Sequence, residues 1–365
     1  MREGKIRVFF NASALPARPA GAGIYTLELA RALDRHPEVV LIAAAPEPYR
    51  LAQSTTRPSF PRPARPLWEW RGLPGELRRQ RPAVYHGPHF FVPKVDIPTV
   101  ATVHDLTFFR IPKRYDVIHR EYYRLLARTS RRADRIIVPS SAVAADVVRY
   151  LGYPPERIRV IAEAPRAVLA PASEQVVAET RARLGLEQPY LLALGTAEPG
   201  KRVVDAIRAM PAIRASTPGT LLALAGNPGP LSAAFEHEVR RLDLGDCVKF
   251  LGYVDDADLG ALLTGATALV FPSLFEGFGL PPLEAMACGT PVIATSAPAM
   301  SEVLAGAAMF VPLRNPAAIA SAAIRLLSEP GLRSELSARA IEFAAQFSWE
   351  KAARETVDVY QEITR

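Results

Sequence analysis

Cysteine is scarce in this chain of 365 residues. Its two cysteines, Cys247 and Cys288, stand far apart and offer neither a metal-ligand spacing nor a disulfide framework. Each lies in an apolar stretch, so buried free thiols in a reducing cytoplasm are expected. No run reaches the roughly 18–20 apolar residues of a membrane span, and the basic N-terminus has no apolar signal-peptide core. Nucleic-acid motifs and aromatic stacking platforms are missing too, which speaks against a nucleic-acid partner. So is a G-x-G-x-x-G after the first strand with an acid about 20 residues on, which disfavours a nicotinamide-dependent oxidoreductase. His86-x-x-His89 sits in a Pro/Gly loop with no cysteine or carboxylate to complete a ligand set, and Asp256-Ala-Asp258 opens a helix as caps would. No metal site is expected.

What is present is ordinary in bulk and uneven in charge. Hydrophobic residues make up 49% and charged residues 22%, and the length suggests two domains. Residues 1–170 hold 28 Lys and Arg against 15 Asp and Glu, a balance of +13. Residues 171–365 hold 16 against 22, a balance of −6. This asymmetry points to an anionic partner for the first half. The basic surface is expected at Arg57, Arg62, Arg65, Arg71, Arg78, Arg79 and Arg81, with Trp68 and Trp70 interleaved. Arginine beside tryptophan suits an anionic membrane face, where the ring sits at headgroup depth. A solvated arginine-rich loop is the alternative.

Apolar runs alternate with helix-period segments twice over, the pattern of parallel α/β sheets. The first half gives strands at Ile6–Phe10, Val39–Ala44, Ala83–His86, Thr99–Val103, Arg135–Val138 and Ile158–Ile161. The second gives Tyr190–Leu194, Leu221–Ala225, Val248–Phe250, Ala268–Phe271, Val292–Ala294 and Ala308–Val311. Residues 46–66 read as a proline- and arginine-rich loop, and 162–173 as the linker between domains at 1–170 and 171–346. Doubly wound sheets bind ligands beyond the carboxyl ends of their strands. His104 and Asp105 follow one strand end, and Gly21 and Gly23 lie after the first strand and open a helix.

The most informative stretch is residues 271–293, FPSLFEGFGLPPLEAMACGTPVI. An apolar strand runs into a glycine loop, the loop opens a short helix, and Gly289 ends it. Gly277 and Gly279 leave the backbone free for close approach of a ligand or a positive φ. Pro281 and Pro282 fit a helix's first turn, where an N–H has no intrahelical partner. The amides around Phe278, Gly279 and Leu280 are expected to face an anion, above all phosphate. Glu276 and Glu284 bracket that device, so a sugar or ribose diol is expected beside the phosphate. Lys201 and Arg202 follow the strand ending at Leu194 through Gly195 and Thr196. A cation with helix-start amides suits a diphosphate.

E-x7-E with GFGLPPLEAMACGTPV is similar to the signature of the retaining glycosyltransferases called family 4, which have the GT-B fold. The resemblance extends through GYVDDADLGALLTGATALVFPS (252–273), LALGTAEPGKR (192–202), TVHDLTFFRIPKRY (102–115) and PSSAVAADVVRYLGYPPERIRVI (139–161). FSWEKAARETVDVYQEI (347–363) resembles the family's terminal helix, which implies that residues 347–365 cross back to the first domain. The resemblance implies an α/β protein of two Rossmann-like, doubly wound domains facing each other across a cleft. The first would bind the acceptor and the second a nucleotide-diphosphate sugar. It implies a retaining, metal-independent, cofactor-free transfer of a hexosyl group to a hydroxyl acceptor, lipid-linked or a growing polysaccharide, in the cytoplasm or on the cytoplasmic membrane face.

The same resemblance implies the roles of single residues. Glu276 holds the sugar hydroxyls and the oxocarbenium-like centre, His104 faces the sugar, and Lys201 stabilises the leaving diphosphate. Glu284 binds the nucleotide ribose. Gly277, Phe278, Gly279 and Leu280 complete one side of the donor site, and Gly195, Thr196 and Arg202 the other. Gly21 and Gly23 form the acceptor-side phosphate loop. The family's arginines fall at Thr196 and Gly200 here, which leaves Arg202 as the second diphosphate cation, and Ile24 stands where many relatives have arginine. These departures keep a catalytically inactive homologue, acting as a partner or scaffold, as the alternative.

Overall fold

A computed structural model of the chain describes residues 4–52, 54–56, 64–112 and 116–365. It divides into two compact units, Met1–Ala164 with Ser348–Arg365, and Pro165–Phe347.

Among the described residues the first unit has seven parallel strands. They are β1 (Ile6–Asn11), β2 (Val39–Ala44), β3 (Ser54–Thr56), β4 (Val84–Gly87), β5 (Thr99–Thr102), β6 (Arg135–Val138) and β7 (Ile158–Val160), in the order β3-β2-β1-β4-β5-β6-β7. Runs such as Val8-Phe9-Phe10 and Ile136-Ile137-Val138 are buried on both faces. That is why they read as continuous apolar stretches rather than alternating ones. The chain leaves β1 toward β2 and later returns to its other side as β4, so the topological switch lies between β1 and β4.

The last helix, Trp349–Thr364, belongs to this unit. Ser348 caps it by accepting from the Lys351 amide. Tyr360 Oη hydrogen-bonds His86 Nδ1 at 2.6 Å, and His86 Nε2 hydrogen-bonds Thr102 Oγ1 at 2.8 Å. A second buried hydroxyl, Tyr25 Oη, meets the same threonine at 2.9 Å. Burial drives the basicity of His86 down to about 3, so this network is neutral.

Two sequence expectations change here. Residues 46–66 are not all loop: Ser54–Thr56 adds a strand to the edge of the sheet beside β2. From Arg65 the chain turns helical, through a wide turn at Trp68–Gly72 into the helix Leu73–Gln80. Leu73 and Leu77 are one helical turn apart and buried, and Trp68 packs on the same core. Proline and arginine at the surface hid this short amphipathic segment. Trp68 therefore serves the core, whereas Trp70 is 40% exposed. Arg71, Arg78, Arg79 and Arg81 are exposed, and Arg65 turns toward Tyr122 and Glu69. Arg57 and Arg62 lie outside the described residues.

The second unit has six described strands: β8 (Tyr190–Leu194), β9 (Leu221–Ala225), β10 (Val248–Gly252), β11 (Ala268–Phe271), β12 (Val292–Thr295) and β13 (Met309–Val311). All are parallel, in the order β10-β9-β8-β11-β12-β13. Here the switch lies between β8 and β11. The loops that leave these two strands, residues 195–202 and 272–279, therefore start side by side at the carboxyl edge of the sheet. Both cysteines are buried and free.

Candidate functional site

The loop after β8 begins at Gly195, with φ 142°, and makes a tight turn at Pro199–Lys201. Arg202 then takes a left-handed conformation, and the helix Val203–Ser216 starts behind it. Lys201 thus sits in a turn before the helix rather than at its first residue. The loop is packed closely from the neighbouring strand. A Cβ at Gly226 would lie 2.2 Å from the Gly195 carbonyl oxygen, so only glycine fits there. The Leu274 amide donates to the Gly200 carbonyl at 2.9 Å and ties the two loops together. A cavity of about 290 Å³ adjoins Gly195, lined in part by Asn227, Ser232, Phe235, Glu236 and Phe250.

The loop after β11 carries Glu276. Lys201 Nζ donates to Glu276 Oε1 at 2.6 Å and lies 5.4 Å from the centre of the Phe271 ring. Both side chains are mostly buried, 22% and 14% exposed. Two charges that sequence reading assigned separately are therefore one pair, assembled by the strand order. The loop ends at Gly279, φ 104°, where the helix Leu280–Ala287 begins. An added Cβ there would meet the Met300 side chain at 2.6 Å. No side chain caps this helix, and Pro281 and Pro282 have no N–H. The amides at Gly279 and Leu280 are left as the donors of its first turn. Gly277 and Phe278 are buried in the same loop, and the Phe278 ring packs against Phe347.

Glu284 lies in that helix, 1% exposed. Its two oxygens are held by one guanidinium: Arg166 Nε donates to Oε1 at 2.7 Å and Nη2 to Oε2 at 2.8 Å. Arg166 Nη1 reaches Asp256 as well. Burial raises the proton affinity of the Glu284 carboxyl, and Arg166 opposes that rise. In the sequence Arg166 falls within the linker stretch 162–173, and Asp256 reads as a helix cap. Instead Asp255 stands at the helix N-cap position, and Asp256 faces Arg166 from the first turn. Arg202 is engaged by Asp205, with Nε to Oδ2 at 2.9 Å and Nη2 to Oδ1 at 2.5 Å. Thr196 is half-buried in the turn.

In the first unit His104 follows β5 and is 9% exposed. Its Nδ1 hydrogen-bonds Glu163 Oε1 at 2.9 Å, and its Nε2 hydrogen-bonds the Pro88 carbonyl at 2.9 Å. Asp105, its neighbour in sequence, instead accepts from the Thr107 amide and hydroxyl. The Tyr25 ring meets His104 edge-on at 4.6 Å. Gly21, φ 49°, is the N-cap of the helix Ala22–Arg35, and Gly23 lies in its first turn. Glu163 and Arg166 are the residues that sequence reading missed. Each is a lone charge in an Ala/Pro stretch, and that isolation is the one signal the sequence held.

Comparison with known proteins decides the family. The family model for glycosyl transferases group 1 matches residues 177–345, and that for glycosyltransferase family 4 matches residues 19–163. The chain is 30% identical over 288 residues to an O-antigen chain mannosyltransferase B of Escherichia coli, covering 78% of this chain and 76% of that one. The chain belongs to the group 1 glycosyltransferases. A second relative, the serotype-specific mannosyltransferase WbdA of the same species, is 32% identical over 287 residues, which is 75% of this chain and 35% of that longer protein. Among solved structures, Anabaena Alr3699/HepE in complex with UDP and glucose aligns with a TM-score of 0.77 at 17% identity, over 98% of this chain and 100% of that one. That likeness concerns the fold, which is GT-B with two Rossmann-like sheets. As a group 1 glycosyltransferase, the chain carries its Lys201–Glu276 pair at the β8/β11 switch, where sheets of this type bind ligands.

Proposed function

We propose that this glycosyltransferase moves a hexosyl group from a nucleoside diphosphate sugar to a hydroxyl acceptor, with retention of configuration and without a metal ion. The observation that carries the reading is the Lys201–Glu276 pair at 2.6 Å beside the uncapped helix start at Gly279. A diphosphate entering there meets an ammonium group and free amides, and so finds positive charge without a metal. Lys201 then passes from the carboxylate to the diphosphate. Glu276 is freed to bind sugar hydroxyls and to stabilise positive charge at the anomeric carbon, and developing charge on the leaving group falls on fixed donors. Beside its guanidinium and backbone bonds to Arg166, the Glu284 carboxylate retains acceptor capacity for a ribose hydroxyl. Arg202, held by Asp205, serves the diphosphate less directly than Lys201. His104 serves the transfer from the first unit, whose basic surface suits an anionic acceptor or its lipid carrier.

The UDP in the HepE complex makes UDP-sugars the donors to try first, and the mannosyltransferase relatives make mannose a sugar to include. A cognate donor at 100 times its Kd should raise stability by about 2.7 kcal/mol, read as a thermal shift, and EDTA should change neither the shift nor turnover. Turnover that disappears with EDTA and returns with Mg²⁺ would refute the metal-free part.

The reading extends to an anionic membrane surface for the first unit. Trp70 and Leu67 are 40% and 57% exposed beside exposed Arg71, Arg78 and Arg81. Each cation near such a surface contributes about 1 kcal/mol, so the protein should sediment with anionic vesicles at low salt and leave them as salt rises. Changing Arg71, Arg78 and Arg81 to Ser should release it, and a protein that stays in the supernatant at low salt rules this surface out.

A further inference from the structure

His104 has a hydrogen-bond partner at each ring nitrogen. The Pro88 carbonyl can only accept, so Nε2 carries a hydrogen and donates it. At Nδ1 the partner is a carboxylate, 2.9 Å away. That contact is a hydrogen bond only if a second proton lies between the two atoms. The couple therefore holds one proton more than a neutral imidazole beside an ionised carboxylate. With that proton on the ring, the contact is a charge-assisted hydrogen bond between an imidazolium and a carboxylate. Water does not substitute for either partner, since His104 is 9% and Glu163 4% exposed.

The other titratable groups facing the ring do not compete for this role. Tyr25, from the helix Ala22–Arg35, stands nearly perpendicular to the ring, and its hydroxyl meets Thr102. His89, in the loop after β4, lies 6.4 Å away between ring centres, and His86 lies on β4 itself. Both are kept neutral by burial. The parallel order β5-β6-β7 explains the meeting of two residues 59 positions apart, because His104 and Glu163 each follow a strand that ends at the same edge.

We propose that Glu163 is the positioning residue of His104: it fixes the ring through Nδ1 and holds it as an imidazolium, so that His104 acts as a stationary positive charge and not as a base. This rests on the reading of His104 as part of the transfer machinery. A ring with both nitrogens protonated has no lone pair with which to take a proton from an acceptor hydroxyl. Its use is electrostatic, toward negative charge that develops during the transfer.

The test is Glu163→Gln. The amide keeps the size of the side chain and can donate to Nδ1, but it favours a neutral ring. Nitrogen-15 NMR of histidine-labelled protein at pH 7.5 should report His104 doubly protonated in the wild type and singly protonated in the variant. The kcat of the variant should fall about tenfold or more, while affinity for the free nucleoside diphosphate stays within about threefold. Its pH–kcat profile should lose activity on the alkaline side first, and Glu163→Asp should recover part of the loss. A neutral His104 ring in the wild type overturns the proposal. So does full kcat in Glu163→Gln when His104→Gln is inactive. Full activity in His104→Gln overturns the functional reading of His104 instead, and the NMR result still decides its charge.

Discussion

Arg166→Met is expected to lower the unfolding free energy of the second unit by about 3–5 kcal/mol, because it strands a buried carboxylate. Glu284 is 1% exposed, and both its oxygens take their bonds from this one guanidinium. The arginine side chain is itself only 12% exposed, so water screens the pair weakly. The loss should depend on pH with a definite sign. Burial raises the proton affinity of Glu284, and in the variant the guanidinium that opposes that rise is gone, leaving only the backbone hydrogen bond from position 166 against it. A carboxyl group whose folded-state pKa is raised is most stabilising when protonated, and its contribution disappears as pH climbs. Urea titrations of wild type and variant should therefore differ more at pH 8 than at pH 5. The double change Arg166→Met with Glu284→Met should regain most of the loss, since an apolar pair often replaces a buried ion pair at little cost. A loss below about 1 kcal/mol, equal at both pH values, would mean that the pair behaves as a solvated surface bridge.

The Arg166–Glu284 pair also marks the limit of what the sequence discloses. Strands such as Leu221–Ala225 and Ala268–Phe271 are legible because burial on both faces demands an unbroken apolar run. The glycine loop at 277–279 is legible because a left-handed backbone and a close ligand both call for glycine. Ser54–Thr56 is not legible: three small polar residues at a sheet edge carry no hydrophobic signal. The helical stretch from Arg65 to Gln80 is masked by the residues that keep its outer face in water. Arg166 and Glu284 are 118 positions apart, and only the completed sheet brings them together. The same holds for Glu163 and His104. Lys201 and Glu276 lie between these cases. Each stands out in its own loop, but their contact comes from the strand order that makes β8 and β11 neighbours.

That contact carries the largest kinetic effect expected of this protein. Lys201→Ala should reduce kcat by about 10²–10³, the usual loss when one fixed donor to a developing charge is removed. Glu276→Gln should reduce it comparably, since the amide keeps the shape and loses the charge that faces the anomeric centre. The two changes together should cost little more than either alone, because the residues act as a unit and the loss of one disables the other. Binding should separate them. The ammonium of Lys201 meets the diphosphate, so Lys201→Ala should also weaken affinity for the free nucleoside diphosphate by about 1.5–3 kcal/mol. Glu276→Gln should leave that affinity unchanged or improve it, since Lys201 no longer has to leave a carboxylate to reach the phosphate. Steady-state kinetics with the donor that gives the largest thermal shift, together with calorimetric titration of the free nucleotide, measure both quantities. A Glu276→Gln enzyme that keeps more than about a tenth of wild-type kcat would remove this carboxylate from the chemistry, and additive losses in the double variant would mean that the two residues act apart.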